Sequence, residues 1–332
     1  PWYAILAPHF GAAPLFVRVR DAASGAPLML LPLVRRREGG LVVVEFADLG
    51  VSDYHAPLLA SHAPALYAHE SLLWAQIEAA LRPADILRFE KAPPFVAAAR
   101  NPLFDLARRH MNFCAWDLRL GAGRAAFEEN LPDQAFRREL ARKNRRIGGR
   151  GRVCFREETE AAGLARAFEI LCAQRAARFA RLGRSDILQS APFRAFYETV
   201  ALAPHNRIAR LFTLSVDDEI VATNFGLQRK ERFCLVMSTI GDERWKSASP
   251  GNVAIDRLVS LLIEERSGAL DFTIGDEPYK KKFGAIESEL GAGLVSMSWR
   301  GSPQLAVDLA RRAMCAGGAL SFGRTKEFFS AH

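Results

Sequence analysis

Residues 268–284, GALDFTIGDEPYKKKFG, gather a carboxylate, a phenol and several ammonium groups at the end of an apolar strand. Alternation with a period of two puts Leu270, Phe272 and Ile274 on one face and Asp271 and Thr273 on the other. Gly275 breaks the pattern, and Asp276, Glu277, Tyr279, Lys280, Lys281 and Lys282 follow. Such a set can move protons and hold an anion. Asp271 can act as a base or orient a substrate, Tyr279 (ordinary phenol pKa about 10) can return a proton, and Lys280 can bind a negative group. Each has a plainer reading. Asp271 can be a solvent-facing strand residue, Tyr279 an amphipathic cover for the core edge, and the lysines a solvated run.

A second group suits anion binding. In SASPGNVAIDRL, Ser249 stands at a helix N-cap, Pro250 at the first helical position and Gly251-Asn252 leave the first turn bare. Uncapped N–H groups and the helix dipole favour a phosphate there, although a well-capped helix reads the same way. Asp53, Tyr54 and His55 fall in a long loop that can line an acceptor pocket, while His205 in LAPHNR carries a weaker signal. No Ser-His-Asp order stands out, and Gly121-Ala122-Gly123 lacks the rest of a dinucleotide fingerprint. The five cysteines (114, 154, 172, 234 and 315) have no CxxC pair and no His at ligand spacing, so neither a metal site nor a disulfide framework is expected.

The elements that must position these residues occur twice in the same order. LFVRVR, LMLLPLV and LVVVEF read as a three-stranded meander, followed by the helix HESLLWAQIEAALR and the strand DILRFE. RLFTLSV, IVATNFGLQ and FCLVMSTI repeat the meander, with a helix over 249–267 and the strand from 269. Ile255, Leu258, Val259 and Leu262 follow helical spacing. A strand–helix–strand unit in one sheet predicts a parallel pair with a right-handed crossover. The fold class is therefore α/β with mixed sheets, in two halves. Where the second helix carries Pro250 and Gly251, the first has LYAHESLLW, with neither residue type. Between the halves runs AFRRELARKNRRI, whose Phe136, Leu140 and Ile147 form a narrow apolar stripe on a basic helix.

With 332 residues, 49% hydrophobic and 25% charged, the composition is that of an ordinary globular chain. No stretch approaches the roughly 18 apolar residues of a membrane span. The chain opens on Pro1, which leaves any targeting segment open. A net charge of +8 favours an anionic partner. Arg137, Arg138, Arg142, Lys143, Arg145 and Arg146 could contact phosphates, but no aromatic platform or recognition motif accompanies them. A pure nucleic-acid-binding role is ranked last.

A meander, a bare helix start and a parallel strand resemble the core of GNAT acyltransferases. Tandem halves with a donor loop only in the second resemble the CelD/BcsL-type (BioF2-like) acetyltransferases, related to the Fem-type aminoacyltransferases. The matching stretches are AFRRELARKNRRI, RAARFARLGRSDILQSAPFRAFYETVA, SPG and LDFTIGDEPYKKKFG, with LPLVRRR and DYHAPLL in the first half. The resemblance implies a tandem GNAT-like fold, with an acceptor-side half over 1–125 and a donor-binding half over 126–332. It implies acetyl-CoA or another acyl-CoA as co-substrate, no metal and a cytoplasmic enzyme, with the inner membrane surface as a further location. The donor cleft is expected beside Ser238, Thr239 and Asp271, with Ser249, Pro250, Gly251 and Asn252 at the pyrophosphate. Asp271 and Tyr279 would be base and acid, and Lys280, Asp53, Tyr54 and His55 would meet an anionic sugar or cell-envelope acceptor. The alternatives are a Fem-type enzyme using aminoacyl-tRNA and a non-catalytic anion-binding protein. Cys172-Ala173-Gln174 and Phe179 stand where many relatives carry His and Trp, a departure from the family pattern.

Overall fold

The computed structural model of the chain describes residues 2–61, 70–107, 109–121, 123–203 and 208–306. His205 and Cys315 lie outside the described residues.

Helix α1 (Trp2–His9) precedes the first meander, formed by β1 (Ala13–Arg20), β2 (Pro27–Glu38) and β3 (Leu41–Phe46). Helix α2 (Glu70–Leu81) then crosses to β4 (Ile86–Ala92), which runs parallel to β3 from Val43↔Ile86 to Glu45↔Arg88. Leu73, Trp74, Ile77 and Leu81 of α2 recur at helical spacing and pack on Leu31, Leu33, Val44, Leu87 and Phe89. Each large side chain buried this way contributes about 2 kcal/mol, which is why α2 lies flat on this sheet.

Next comes β5 (Ala115–Arg119), which leaves the first sheet for the second. The basic helix α3 (Gln134–Gly148), β6 (Val153–Glu157), α4 (Ala161–Arg181) and α5 (Ala191–Leu202) follow. The second meander is β7 (Ala209–Val216), β8 (Glu219–Arg229) and β9 (Arg232–Ile240), and α6 (Pro250–Glu264) crosses to β10 (Ala269–Ile274). Short helix α7 (Pro278–Lys282), β11 (Ile286–Ser288) and β12 (Gly291–Ser296) complete the labelled elements. The second sheet has the order β6-β7-β8-β9-β10-β5-β11, while β12 returns to pair with β4 in the first. Each sheet thus takes a strand from the other half of the sequence. The exchange covers the outer edge of β10, which a βαβ crossover leaves unpaired.

Helices cover both faces of the second sheet. On one, Ile255, Leu258, Val259 and Leu262 of α6 and Phe136 and Leu140 of α3 pack on Phe212, Phe233, Leu235, Leu270 and Phe272. On the other, Phe168 and Leu171 of α4 and Tyr197 of α5 pack on Leu211, Phe225 and Met237. Phe179 is only half-buried, under the Arg175 guanidinium. Alternation along β10 puts its polar side chains on the α4 face, but not in solvent. Asp271 and Thr273 are each only 5% exposed, because a loop of the first half covers them.

Candidate active site

Strands β9 and β10 run parallel for three pairs, Arg232↔Ala269, Phe233↔Leu270 and Cys234↔Asp271, and then separate. Both are irregular where they part. In β9 the register skips Val236, since Phe225 faces Met237 and Gly226 faces Leu235. In β10 it skips Phe272, since Asp271 faces Asp117 and Thr273 faces Trp116. Bulges leave a residue unpaired and turn the strand, which splays the pair into a cleft. Gly226 is required beside the first bulge: a Cβ there would stand 2.4 Å from the Cys234 carbonyl. Thr273, at φ 55°, holds a left-handed conformation that β-branched residues avoid. It is fixed by its own contacts: the N–H donates to Asp271 at 2.8 Å and the hydroxyl to the Leu235 carbonyl at 3.4 Å.

Asp271 marks the apex of this cleft. Its carboxylate accepts from the Tyr54 hydroxyl at 2.7 Å, from Thr273 N–H and from Arg232 at 3.2 Å, and the Cys234 thiol lies 3.9 Å away. Burial raises its pKa above the usual carboxylate range, against the opposing pull of the Tyr54 and Thr273 hydrogen bonds and the Arg232 charge. Burial and Asp271 together hold Tyr54 firmly as a phenol and push the Cys234 thiol up to about 12. Asp53 is half-buried, and its charge also bears on Tyr54, Tyr197 and Cys234. Two residues 217 positions apart, Tyr54 and Asp271, therefore meet where the two halves face each other.

Tyr54 is presented by a tightly bonded loop. Asp48 accepts from the N–H groups of Gly50 at 3.1 Å and Ser52 at 2.6 Å, and it pairs with Lys91. His55 Nδ1 accepts from Glu90 N–H at 2.9 Å, so the ring proton sits on Nε2 and is donated to Asp48 at 2.9 Å. The ring is 5% exposed and stacks on Phe46. With both nitrogens engaged, His55 is a core histidine of the first half rather than a lining of an acceptor pocket. Its function is to help hold the loop that carries Tyr54.

This network makes the loop acid-labile. Burial alone would raise Asp48, but the His55 hydrogen bond and the Lys91 charge outweigh it and hold the carboxyl well below its usual range. Burial lowers His55, which stays neutral. Above about pH 4, the ordinary carboxylate value, the Asp48 contribution to stability is fully present, and it is lost progressively as pH falls from there towards the lower folded value. Below about pH 6.5 the unfolded chain takes up a proton on His55 that the folded ring refuses, so stability falls there too. Asp48→Ala should cost roughly 2 kcal/mol at pH 7 by leaving His55 Nε2 without its acceptor and Lys91 with the Ser52 carbonyl but no carboxylate. Melting temperature should fall below about pH 6.5 in both proteins, because Asp48 raises the His55 pKa and its loss leaves the folded ring still harder to protonate, while the further fall below about pH 4 should be missing in the variant.

The other wall of the cleft leads to the start of α6. Ser249 holds a left-handed backbone conformation (φ 49°, ψ 58°), and its hydroxyl makes no capping bond. The expected serine cap is therefore absent, because this backbone turns the side chain away. Pro250 at the first helical position has no N–H, so Gly251 and Asn252 present the first donors of an uncapped helix. A Cβ on Gly251 would lie 2.9 Å from Ile240 Cγ2, which explains how closely α6 starts against the end of β9. Ser238 is half-buried opposite Asn224, a fully buried amide with neither atom partnered among the described residues. Composition gave no reason to single out Asn224. Thr239 is used internally: its hydroxyl is 2.6 Å from both Thr223 and Gln174.

Two further sequence candidates lie elsewhere. Lys280 is 2% exposed and donates to the carbonyls of Ile274 at 2.9 Å and Gly275 at 2.8 Å, with Glu277 at 2.9 Å. All three ammonium donors are occupied in closing the strand end, so Lys280 is not free to hold an acceptor. Tyr279 rests edge-on against Phe272, with ring centroids 5.7 Å apart, on the α6 side of β10. The structure does not bring it to Asp271. Burial raises its phenol pKa.

Residues 134–281 match the model of the acetyltransferase (GNAT) domain family. The match lies within the second half, and the chain is an acyltransferase with GNAT-like folds. GNAT domains generally take an acyl-CoA co-substrate. No curated protein matches the sequence significantly. Among solved structures, FemX is similar in fold, with 11% identity, 92% of each chain covered and a TM-score of 0.61. The C-terminal domain of a putative lysylphosphatidylglycerol synthetase from Agrobacterium fabrum shares 13% identity over 96% of this chain and 91% of its own, with a TM-score of 0.55. L-PGS from Bacillus licheniformis shares 12% over 94% and 95%, with a TM-score of 0.51. At such identities the likeness concerns fold alone. No described helix is long and apolar enough to cross a membrane.

Proposed function

We propose that the enzyme moves an acyl group, acetyl in the simplest case, from a CoA thioester to an amine. One observation carries this reading. The cleft between β9 and β10 opens at Cys234↔Asp271, with the uncapped start of α6 at one side and the Tyr54–Asp271 pair at the other. The pyrophosphate would meet Gly251 and Asn252, and the thioester would thread past Ser238 to the bulge at Val236, where backbone N–H groups can polarise its carbonyl. Asp271 would accept a proton from the acceptor ammonium, which frees the nitrogen lone pair to attack the thioester carbonyl. Collapse of the tetrahedral adduct expels the CoA thiolate, and the second proton shed by the nitrogen goes to the sulfur, while Tyr279 stays packed on Phe272 away from the cleft. Burial and the Asp271 charge push the Cys234 thiol up to about 12, which favours direct transfer over an acyl-cysteine.

Charge favours an amine. Asp53, Asp117 and Asp271 gather near the apex with Arg232 as the cation bonded to the last two, and Lys280 is already occupied. A sugar amine of an exopolysaccharide or cell-envelope precursor is the acceptor suggested by the CelD/BcsL resemblance, with residues 1–125 supplying its side of the cleft. A second reading, aminoacyl transfer from tRNA, is favoured by Arg138, Arg142 and Arg145, which lie exposed on α3. Thermal melting separates the two. Acetyl-CoA should raise the melting temperature, whereas a shift with aminoacyl-tRNA alone would promote the second reading.

A further inference from the structure

Helix α3 turns two of its cations, and Arg150 two residues beyond its end a third, onto the loop that precedes α6. Lys143 donates to the Ser247 carbonyl at 3.1 Å, and Arg146 donates to the same oxygen at 3.3 Å. Arg150 donates to the Arg244 carbonyl at 2.7 Å and to the Ser247 hydroxyl at 3.0 Å, with its guanidinium 5.1 Å from the Trp245 ring centroid. Nearby carboxylates are engaged elsewhere: Glu219 pairs with Arg244, and Glu243 pairs with Lys246 and Arg181. Among the described residues, none of the three cations has a carboxylate partner. Positive charge is thus concentrated, and left unneutralised, a few residues before the first N–H donors of α6.

We propose that Lys143, Arg146 and Arg150 form a subsite for a phosphate monoester on the nucleotide end of the donor, the 3′-phosphate of a CoA thioester. The proposal rests on the donor reading above. If α6 takes the pyrophosphate, the next phosphate of such a donor hangs from the adjoining ribose, and a monoester carries nearly two negative charges at neutral pH. The carbonyls of residues 244 and 247 hold the three side chains in place, so little freedom remains to be lost on binding. Each guanidinium and the ammonium keeps further N–H donors for phosphate oxygens. The basic face of α3 thereby acquires a ligand of defined chemistry.

The test compares CoA with 3′-dephospho-CoA by isothermal titration. The wild type should bind CoA about tenfold more tightly, a modest ratio because exposed ion pairs are weakened by solvent. The preference should shrink as salt is raised. The double variant Lys143→Gln/Arg146→Gln should bind the two ligands alike, at the wild-type affinity for 3′-dephospho-CoA. A wild type indifferent to the 3′-phosphate would overturn the proposal. So would a double variant that keeps the preference, or one that loses affinity for both ligands equally, since the cations would then serve the pyrophosphate. Binding of a transfer-RNA acceptor stem in preference to CoA, abolished by the same variant, would overturn it too. If neither CoA nor 3′-dephospho-CoA binds the wild type, the donor reading itself fails.

Discussion

Asp271→Asn should lower kcat by on the order of a hundred- to ten-thousandfold, the range expected when a general base is removed. The substitution keeps the shape and an oxygen acceptor for Tyr54, so the melting temperature should move little while turnover collapses. The pH profile carries the sharper signature. A base works as its carboxylate, so kcat/KM should rise with pH through the Asp271 pKa, which burial displaces above the usual carboxylate value. In the Asn variant the residual rate should lose that rising limb. Tyr54→Phe provides a second check with its sign fixed by geometry. The Tyr54 hydrogen bond stabilises the carboxylate, so removing it should shift the limb to higher pH. If Asp271 were merely structural, both variants would lose stability and keep the profile.

Gly251→Glu should weaken acyl-CoA binding by at least about a hundredfold and abolish the ligand-induced rise in melting temperature. Two causes add. A Cβ at this position stands 2.9 Å from Ile240 Cγ2, and a carboxylate at the first turn would meet the pyrophosphate at the point where the helix favours an anion. A glutamate there suits the helix dipole, so the unliganded protein should remain folded. Gly251→Ala separates the causes, since it adds the contact without the charge and should cost far less affinity. Unchanged donor binding in the Glu variant would remove α6 from the donor site.

Much of this was legible in the sequence, for reasons that differ by element. Helices α2 and α6 could be read because their apolar residues recur at helical spacing, and Leu258, Val259 and Leu262 are buried accordingly. The two meanders could be read because runs of Val, Ile, Leu and Phe are bounded by turn residues. The exchange of β5 and β12 between sheets was not legible, because the choice of pairing partner is non-local and leaves no periodic trace. Tyr54 and Asp271 were each marked by residue type, yet nothing in either segment announces the other. His55 and Lys280 show the converse failure. A polar residue in a loop or a lysine run reads alike whether exposed or buried, and only the acceptors around it decide. The left-handed conformation of Thr273 was equally silent, since threonine is an ordinary strand residue and the strain is imposed by the bulge beside it.

The proposed reaction brings a CoA thioester in the β9–β10 cleft to an amine at Asp271. Release of free CoA thiol, followed with a thiol reagent while acyl-CoA is mixed with matched amine and hydroxyl acceptors, tests it most directly. Thiol release should depend on a free amine, come with stoichiometric amide product and fall at least about a hundredfold in Asp271→Asn. Thiol release indifferent to the amine, or product formed from aminoacyl-tRNA but from no CoA ester, would contradict it.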